Sequence, residues 1–435
     1  MIKLSFTLGW LAICNAALAI LMPWYVVTRL GVGVETDAFF ASGALPQLIF
    51  LVISTSLAHV LVPLLATEDE EIFRRDALSF FLGITLLFSL IAVLLFATSS
   101  YWVPLLVPGF SVAGKTLTVR LTRIQLISMV FNASVVVLWS FYHARQKFIW
   151  AELSPVLANI VSLLFLFWTL PRFGIYAAAW TIVLNNGVKI ALLLPVMGRW
   201  QRPSWRSPTM KEAWRRTRPF LLGQTYYKTD PLIDRLLTSL GREGGLSLLY
   251  IGQQIYAVSN QIINKAISAP MVPMLAIEAK AGRWDRYRRI YRERLLWMAV
   301  LTGTGCLLLL LMGQPILHLA VGHGGITANN VRTLWLVMIA LSGVLAGGAV
   351  GQITSVAFYA MGDTRTPTRL FILTYTFYIP LKIMIYIRYG MIGLAMGTSF
   401  YFLLNFVLQI FILERSTLRR ERGWEASNQI KAGST

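Results

Sequence analysis

Long apolar segments recur along the whole chain, separated by short polar connections. Each is roughly 20 to 28 residues long, which as a helix is enough to cross the hydrocarbon core of a bilayer, about 30 Å thick. Only 13% of the residues are charged, about half the share that is usual in a soluble domain. The sequence therefore predicts an all-α membrane protein.

Each apolar segment corresponds to one predicted transmembrane helix, about twelve in all. The predicted helices span residues 5–28, 38–66, 76–98, 120–142, 149–170, 174–196, 214–240, 246–275, 290–312, 330–361, 369–387 and 390–413. The first contains Asn15-Ala16-Ala17-Leu18-Ala19, which resembles a signal-peptide cleavage site. Because the apolar segment continues to Val27, we expect a retained helix rather than a cleaved signal.

The basic residues are divided unequally between the two sides of the membrane. On the predicted side of the N-terminus there are 26 Lys and Arg, against 8 on the opposite side and 5 within helices. The positive-inside rule then places both termini in the cytoplasm. The net charge of +20 is explained by these loops, and no basic helix or RNA-binding aromatic pattern accompanies it, so nucleic acid is not an expected partner.

Short sequence matches relate the two halves of the chain. Thr28-Arg29-Leu30-Gly31 and Thr238-Ser239-Leu240-Gly241 are 210 residues apart, as are Val62–Glu68 and Val272–Glu278. Arg172–Ile175 matches Arg388–Met391 at 216 residues, and Phe141-Tyr142 matches Phe358-Tyr359. An offset of six helices preserves orientation, so we predict two parallel six-helix lobes around a central cavity.

The repeat also suggests a division of the chain into domains. The predicted parts are an N-terminal lobe at 1–196, a basic cytoplasmic linker at 197–218, a C-terminal lobe at 219–413 and a basic cytoplasmic tail at 414–435.

Polar side chains concentrate on the predicted seventh and eighth helices, and charged groups inside a membrane are costly enough to suggest function. Lys228 and Lys265 lie at comparable predicted depth and could neutralise a diphosphate, although Lys228 could instead pair with Asp230 or Asp234. Asp234 and Arg235 are at least as consistent with packing between helices. Lys189 and Lys382 are interpreted as snorkelling. The two cysteines and four histidines lack metal-ligand spacing, and no cofactor is expected.

Three segments resemble a known family. They are Thr36–Phe40 with Leu45-Pro46, Asp234–Leu240 with Gly245–Tyr250, and Phe358–Pro367. They occur in the order found in the MurJ/MviN-like lipid II flippases, within the multidrug/oligosaccharidyl-lipid/polysaccharide (MOP) exporter superfamily. The resemblance implies two lobes that alternate access and export of an undecaprenyl-diphosphate-linked saccharide from the cytoplasmic to the periplasmic leaflet of the bacterial inner membrane.

The chain also departs from that family. The lipid II flippases carry arginines on the cavity faces of helices one, two and eight and commonly have two further C-terminal helices. Here Phe50 and Gln254 occupy two positions where arginine is expected, and helix one has no basic residue before Arg29. The resemblance therefore leaves lipid II and an exopolysaccharide or O-antigen-like unit open as substrates.

These observations lead to a set of expected site residues for a flippase that is not an enzyme. The diphosphate would be bound by Lys228, Lys265, Arg235 and Arg29, and the sugar by Gln224, Gln254, Asn260 and Asn264. The alternatives are a cation-coupled multidrug antiporter using Asp230 and Asp234, and a membrane scaffold. Expected partners are membrane lipid, the lipid-linked saccharide and the glycosyltransferases or polymerase of its pathway.

Overall fold

The structure, a computed structural model, describes residues 2–66, 70–198, 203–204, 209–215, 226–263, 269–322 and 324–432. Within these ranges the chain is helical apart from short connections. Nine of the described helices are long and apolar enough to cross a membrane. The all-α membrane fold is thus confirmed.

The helices are numbered in chain order. The first seven are α1 Ile2–Leu30, α2 Val34–Ser42, α3 Ala44–Leu65, α4 Glu70–Leu106, α5 Val112–Ala144, α6 Phe148–Phe173 and α7 Ile175–Leu193. They are followed by α8 at 209–215. The remaining helices are α9 Asp230–Ser239, α10 Gly245–Ile263, α11 Ala269–Lys280, α12 Trp284–Val321, α13 Ala328–Ala340, α14 Ser342–Ala360 and α15 Arg365–Ala432. Short 3-10 turns occupy Leu194–Met197 and Tyr227–Thr229.

Two compact units divide the chain. The first contains Met1–Ser247 and His323–Ile326, and the second contains Leu248–Gly322 and Thr327–Thr435. The division at 196 and 218 that the sequence suggests stays a prediction.

The first unit is built around α5, which packs on α3, α4 and α7. Its core includes Leu61, Phe73, Phe88 and Phe141, all less than 2% exposed. The outer face of α4 carries exposed leucines such as Leu90. An apolar face of this kind is stable against lipid rather than water.

The second unit has its own core where α12, α14 and α15 meet. Tyr287, Tyr291 and Phe358 are fully buried there, and the Tyr287 hydroxyl donates a hydrogen bond to the Ala357 carbonyl oxygen. The opposite face of α12 exposes further leucines, including Leu311. This unit therefore also presents an apolar surface suited to lipid.

The backbone supports the internal repeat. Gly174 and Gly390, which are 216 residues apart, both break a helix with nearly the same dihedral angles, φ 55° and ψ −144° against φ 61° and ψ −146°. At a second pair of helix ends, the Lys147 N–H donates to the Tyr142 carbonyl and the Asp363 N–H donates to the Phe358 carbonyl. This second pair is also offset by 216, so Tyr142 is equivalent to Phe358 rather than to Tyr359.

One predicted helix is organised differently from the expectation. Pro231 lies inside the predicted helix 214–240, where a proline would bend a continuous helix, but in the structure it lies in the first turn of α9, where a missing N–H costs no hydrogen bond. The predicted helices 369–387 and 390–413 are separated as expected, because Gly390 has non-helical dihedral angles within the range of α15. The predicted seventh and eighth helices lie partly outside the described residues, so the total of twelve stays a prediction.

Candidate functional site

Lys228 lies in the 3-10 turn that precedes α9. Its ammonium donates a 2.9 Å hydrogen bond to the carbonyl oxygen of Leu51, in the middle of α3. A lysine ammonium has three N–H donors, and this bond uses one of them. Within the first unit, Lys228 thus connects the turn to α3 and is half-buried.

The other charged candidates of the first unit differ in exposure. Asp234 and Arg235 are buried in α9, at 1% and 6% exposure. Asp230 begins the same helix and is half-buried. Arg29 is exposed at the end of α1, with its guanidinium 5.7 Å from the centroid of the Tyr25 ring.

The expected sugar-binding residues are described only in part. Gln254 and Asn260 lie on α10 in the second unit, and both are half-buried. Gln224, Asn264 and Lys265 lie outside the described residues.

Asp37 lies in the first turn of α2, is 2% exposed and contacts the residues around the start of α10. It accepts hydrogen bonds from the Gly244 N–H at 2.6 Å, the Ser247 N–H at 2.8 Å and the Ser247 hydroxyl at 2.5 Å. All three partners donate, which is the pattern that an ionised carboxylate accepts. Gly244 and Ser247 lie at the start of α10. The negative charge of the carboxylate is therefore also stabilised by the positive end of that helix dipole.

Close backbone contacts surround this position. A Cβ on Gly109 would lie 2.1 Å from the Ser239 carbonyl oxygen, and one on Gly325 would lie 2.7 Å from the backbone of Gly31. The Gly325 N–H donates a 2.8 Å hydrogen bond to the Thr28 carbonyl. Glycine is therefore required where these loops pass the ends of α9 and α1.

A small cavity of about 30 Å³ lies beside Asp37 and is lined by Ser111, Arg242 and Glu243 among others. This volume holds only one or a few water molecules. It therefore cannot hold a lipid-linked substrate.

Amide side chains form a connected network in the first unit. Asn185 donates to Asn159 at 2.8 Å, and Asn159 donates to Asn15 at 2.8 Å, so the network joins α7, α6 and α1. Asn186 donates to the Ser128 hydroxyl at 2.9 Å on α5. Such interhelical hydrogen bonds stabilise packing inside a membrane.

A larger cavity of about 160 Å³ lies within the second unit, between α10, α14 and α15. Asn260 is one of the residues that line it, together with Gln352 on α14 and Asn405 on α15. Asn260, one of the residues expected to bind sugar, therefore lines a cavity of the structure.

Lys382 differs from its interpretation as a snorkelling side chain. It is fully buried in α15, and its ammonium lies 5.0 Å from the centroid of the Tyr378 ring. The face of an aromatic ring attracts a cation, so the side chain is turned into the second unit.

The comparison with known families gives a clear result. The model of the lipid II flippase MurJ family matches residues 26–431. The chain belongs to this family. The match covers nearly the whole chain and includes all three segments on which the resemblance rests.

Individual members of the family are similar over most of their length. A probable lipid II flippase from Bdellovibrio bacteriovorus is 23% identical over 405 residues, covering 87% of this chain and 76% of that protein. One from Vibrio cholerae is 22% identical over 432 residues, covering 94% and 82%.

Solved structures confirm the fold class. A lipid II flippase in an inward closed conformation superposes with a TM-score of 0.79 at 18% identity, covering 97% of this chain and 90% of that one. An inward-facing multidrug transporter of the MOP superfamily gives 0.76 at 15% identity, covering 96% and 95%. The chain therefore has the MOP fold that the sequence predicts.

Sequence reasoning missed two sets of residues. Asp37 belongs to a segment that identifies the family, yet its role as an acceptor for Gly244 and Ser247 depends on residues more than 200 positions away. Gln352 is a single amide in its apolar helix, whereas Asn405 accepts a hydrogen bond from Gln409 four residues later in the same helix. Their only signal in the sequence is that an amide in a membrane helix needs a partner. Phe50, at a position expected to be arginine, packs against the apolar core of the first unit.

Proposed function

We propose that this chain moves a polyprenyl-diphosphate-linked saccharide across the bacterial inner membrane by alternating access. The observation that carries the proposal is the family match over residues 26–431. The apolar outer faces of both units and the MOP fold support a transport role.

Four basic residues are proposed to attract the diphosphate: Lys228, Lys265, Arg235 and Arg29. Opposite charges attract more strongly where water is scarce. Arg235 is buried within α9, and Lys228 is half-buried in the turn that precedes it. The amides of Gln224, Gln254, Asn260 and Asn264 are proposed to bind sugar hydroxyls, since an amide both donates and accepts hydrogen bonds.

The proposed direction of transport is export, from the cytoplasmic to the periplasmic leaflet, in the orientation that the charge distribution predicts. With 26 Lys and Arg on one side and 8 on the other, both termini lie in the cytoplasm. The Asp37 contacts and the 8 basic residues then share the periplasmic side. Substrate made in the cytoplasm would enter from the opposite side and leave when these contacts break.

Flipping should be measured with the purified full-length chain in proteoliposomes. Lipid II and an undecaprenyl-diphosphate-linked O-antigen unit serve as the two substrates, and labelled lipid reaching the opposite leaflet is the readout. We expect flipping of at least one of them, and strong loss in the double variant Lys228→Ala, Lys265→Ala. The matched control is Lys147→Ala, Lys280→Ala, which removes two exposed lysines.

The outcomes separate the proposals. Wild-type rates in the Lys228→Ala, Lys265→Ala variant would refute the site assignment but not the function. Absence of flipping with both lipids would refute the function. Export of a cationic dye driven by an ion gradient, and its loss in Asp230→Asn, would instead indicate the antiporter.

A further inference from the structure

The cavity of about 160 Å³ in the second unit has a polar lining without charge. Its lining includes three amide side chains, Asn260, Gln352 and Asn405, together with Phe371 and Phe402. The residues described around it carry no ionised group. A diphosphate would be buried there without a counter-charge, so the cavity suits a neutral polar group.

The side-chain oxygens of two of the amides lack hydrogen-bond donors among the described residues. Among the described residues, neither the Asn260 Oδ1 nor the Gln352 Oε1 is within hydrogen-bond reach of a donor, although both atoms are buried. The Asn260 Nδ2 points to the Val344 carbonyl at 3.4 Å, which fixes the orientation of that amide. Buried carbonyl oxygens normally accept at least one hydrogen bond. These two oxygens therefore require an O–H or N–H donor.

Neighbouring amides do have hydrogen-bond partners, so among the described residues the lack of donors is local to Asn260 and Gln352. Asn405 donates to the Thr374 hydroxyl at 2.8 Å, and Gln409 accepts from the hydroxyls of Thr354 and Ser355 at 2.9 Å each. In the first unit, Asn15, Asn159 and Asn185 are joined in a chain of hydrogen bonds. The two unmatched oxygens therefore belong to amides that line the cavity, and a small rotation of either side chain would turn its oxygen toward a bound donor.

Glycine and phenylalanine determine the shape of the cavity. A Cβ on Gly351 would meet only Phe406 Cβ at 3.8 Å, so a side chain larger than alanine at this position would project into free space. Phe371 and Phe402 add aromatic rings to the lining. One water molecule needs about 10–15 Å³ of cavity volume. The cavity of about 160 Å³ is therefore on the scale of a single sugar ring.

We infer that this cavity is a saccharide subsite, in which sugar hydroxyls donate to Asn260 and Gln352 while a ring face lies against phenylalanine. Hydroxyl donors, neutral charge and an apolar ring face together describe a sugar. The inference rests on the proposed function, because it assigns one part of the lipid-linked saccharide to one place. The inference assigns the neutral sugar and the charged diphosphate to different sets of residues.

Binding should be measured by saturation-transfer NMR with the full-length chain in phospholipid nanodiscs, because glycoside detergents would compete. The probes are free glucose, galactose, N-acetylglucosamine and N-acetylgalactosamine at millimolar concentration. We expect at least one to bind the wild type and to bind about tenfold more weakly to Gln352→Met, which loses one acceptor. Gly351→Val should abolish binding by filling the cavity.

The control is Gly303→Val, at an exposed position on α12 where a Cβ would meet nothing within 4 Å. It should bind the sugar as the wild type does, and inorganic pyrophosphate should not compete. Absence of sugar binding, equal binding by Gly351→Val, or displacement by pyrophosphate would each overturn the subsite. Flipping without sugar binding refutes only the subsite, whereas variant-sensitive sugar binding without flipping refutes only the proposed function.

Discussion

Removing the Asp37 carboxylate should loosen the structure around the starts of α2 and α10. Its three hydrogen bonds, at 2.5 to 2.8 Å, involve a charged acceptor, for which each bond contributes about 1.5–3 kcal/mol. Asp37→Asn keeps one acceptor oxygen but turns an NH2 group toward a backbone N–H, so we expect it to cost about 2 kcal/mol. Asp37→Ala loses all three bonds and should cost at least about 4.5 kcal/mol.

The assay is the labelling of a buried cysteine by a membrane-impermeant maleimide. Cys14 and Cys306 are first replaced by serine, and Ser239→Cys is then introduced. Ser239 is 2% exposed and is covered by the backbone at Gly109, so it reacts only when this region opens. Since about 1.4 kcal/mol changes an equilibrium tenfold, Asp37→Asn should raise the labelling rate about thirtyfold and Asp37→Ala still more.

Glu35 provides the matched control. It lies in the same first turn of α2 but is exposed, so Glu35→Ala removes an equal charge without removing the contacts of Asp37. The labelling rate of this control should stay near that of the parent. If Asp37→Ala labels no faster than Glu35→Ala, the hydrogen bonds of Asp37 do not hold this region closed.

Three further changes test local features. Gly325→Ala places a Cβ 2.7 Å from the Gly31 backbone and should lower the thermal stability of the detergent-solubilised protein, whereas Gly303→Ala should leave it unchanged. Gly390→Ala imposes on alanine a φ of 61° with a ψ of −146°, a region essentially confined to glycine that costs about 1–3 kcal/mol, and should lower the unfolding midpoint in a denaturant series. Asp363→Ala removes the acceptor that caps α15 and should cost about 1 kcal/mol in the same series.

The Asp363 cap also has a defined pH dependence. Partial burial raises the pKa of Asp363, but hydrogen bonds from Thr366 and Arg365 and the charge of Arg420 outweigh it and hold the pKa below its usual value. A carboxyl with a lowered pKa in the folded state stabilises above its unfolded pKa, about 3.9, and this contribution is lost as the pH falls further. The stability difference between wild type and Asp363→Ala should therefore be constant from pH 8 to pH 5.

Features that depend on neighbouring residues could be predicted from the sequence. Apolar length alone predicts the membrane helices, and the repeated glycines Gly174 and Gly390 are recognisable because each lies in a matching four-residue segment. Both proved to adopt the same left-handed conformation. Local sequence carries this information because a helix break is determined by the residue at the break and its immediate neighbours.

Features that depend on distant residues could not be predicted in this way. Nothing near Asp37 in the sequence indicates that Gly244 and Ser247 are its donors. Lys382 is expected to snorkel from its position in an apolar helix, but the structure surrounds it with the second unit and places it over Tyr378. Which face of a membrane helix points inward is decided by tertiary packing, and a single polar residue gives too little periodicity to determine it.

Phe50 bears on how strongly charge contributes to substrate binding. Its ring packs against the apolar core of the first unit, so an arginine at this position would bring a guanidinium against apolar side chains, which is costly without a paired anion. Gln254, at the other expected arginine position, is neutral as well. If the chain binds a diphosphate-linked saccharide as we propose, fewer cations reduce the attraction for the diphosphate, and hydrogen bonds to the saccharide then supply more of the selectivity. A neutral cavity lined by unmatched amide oxygens is the feature of the second unit that can provide them.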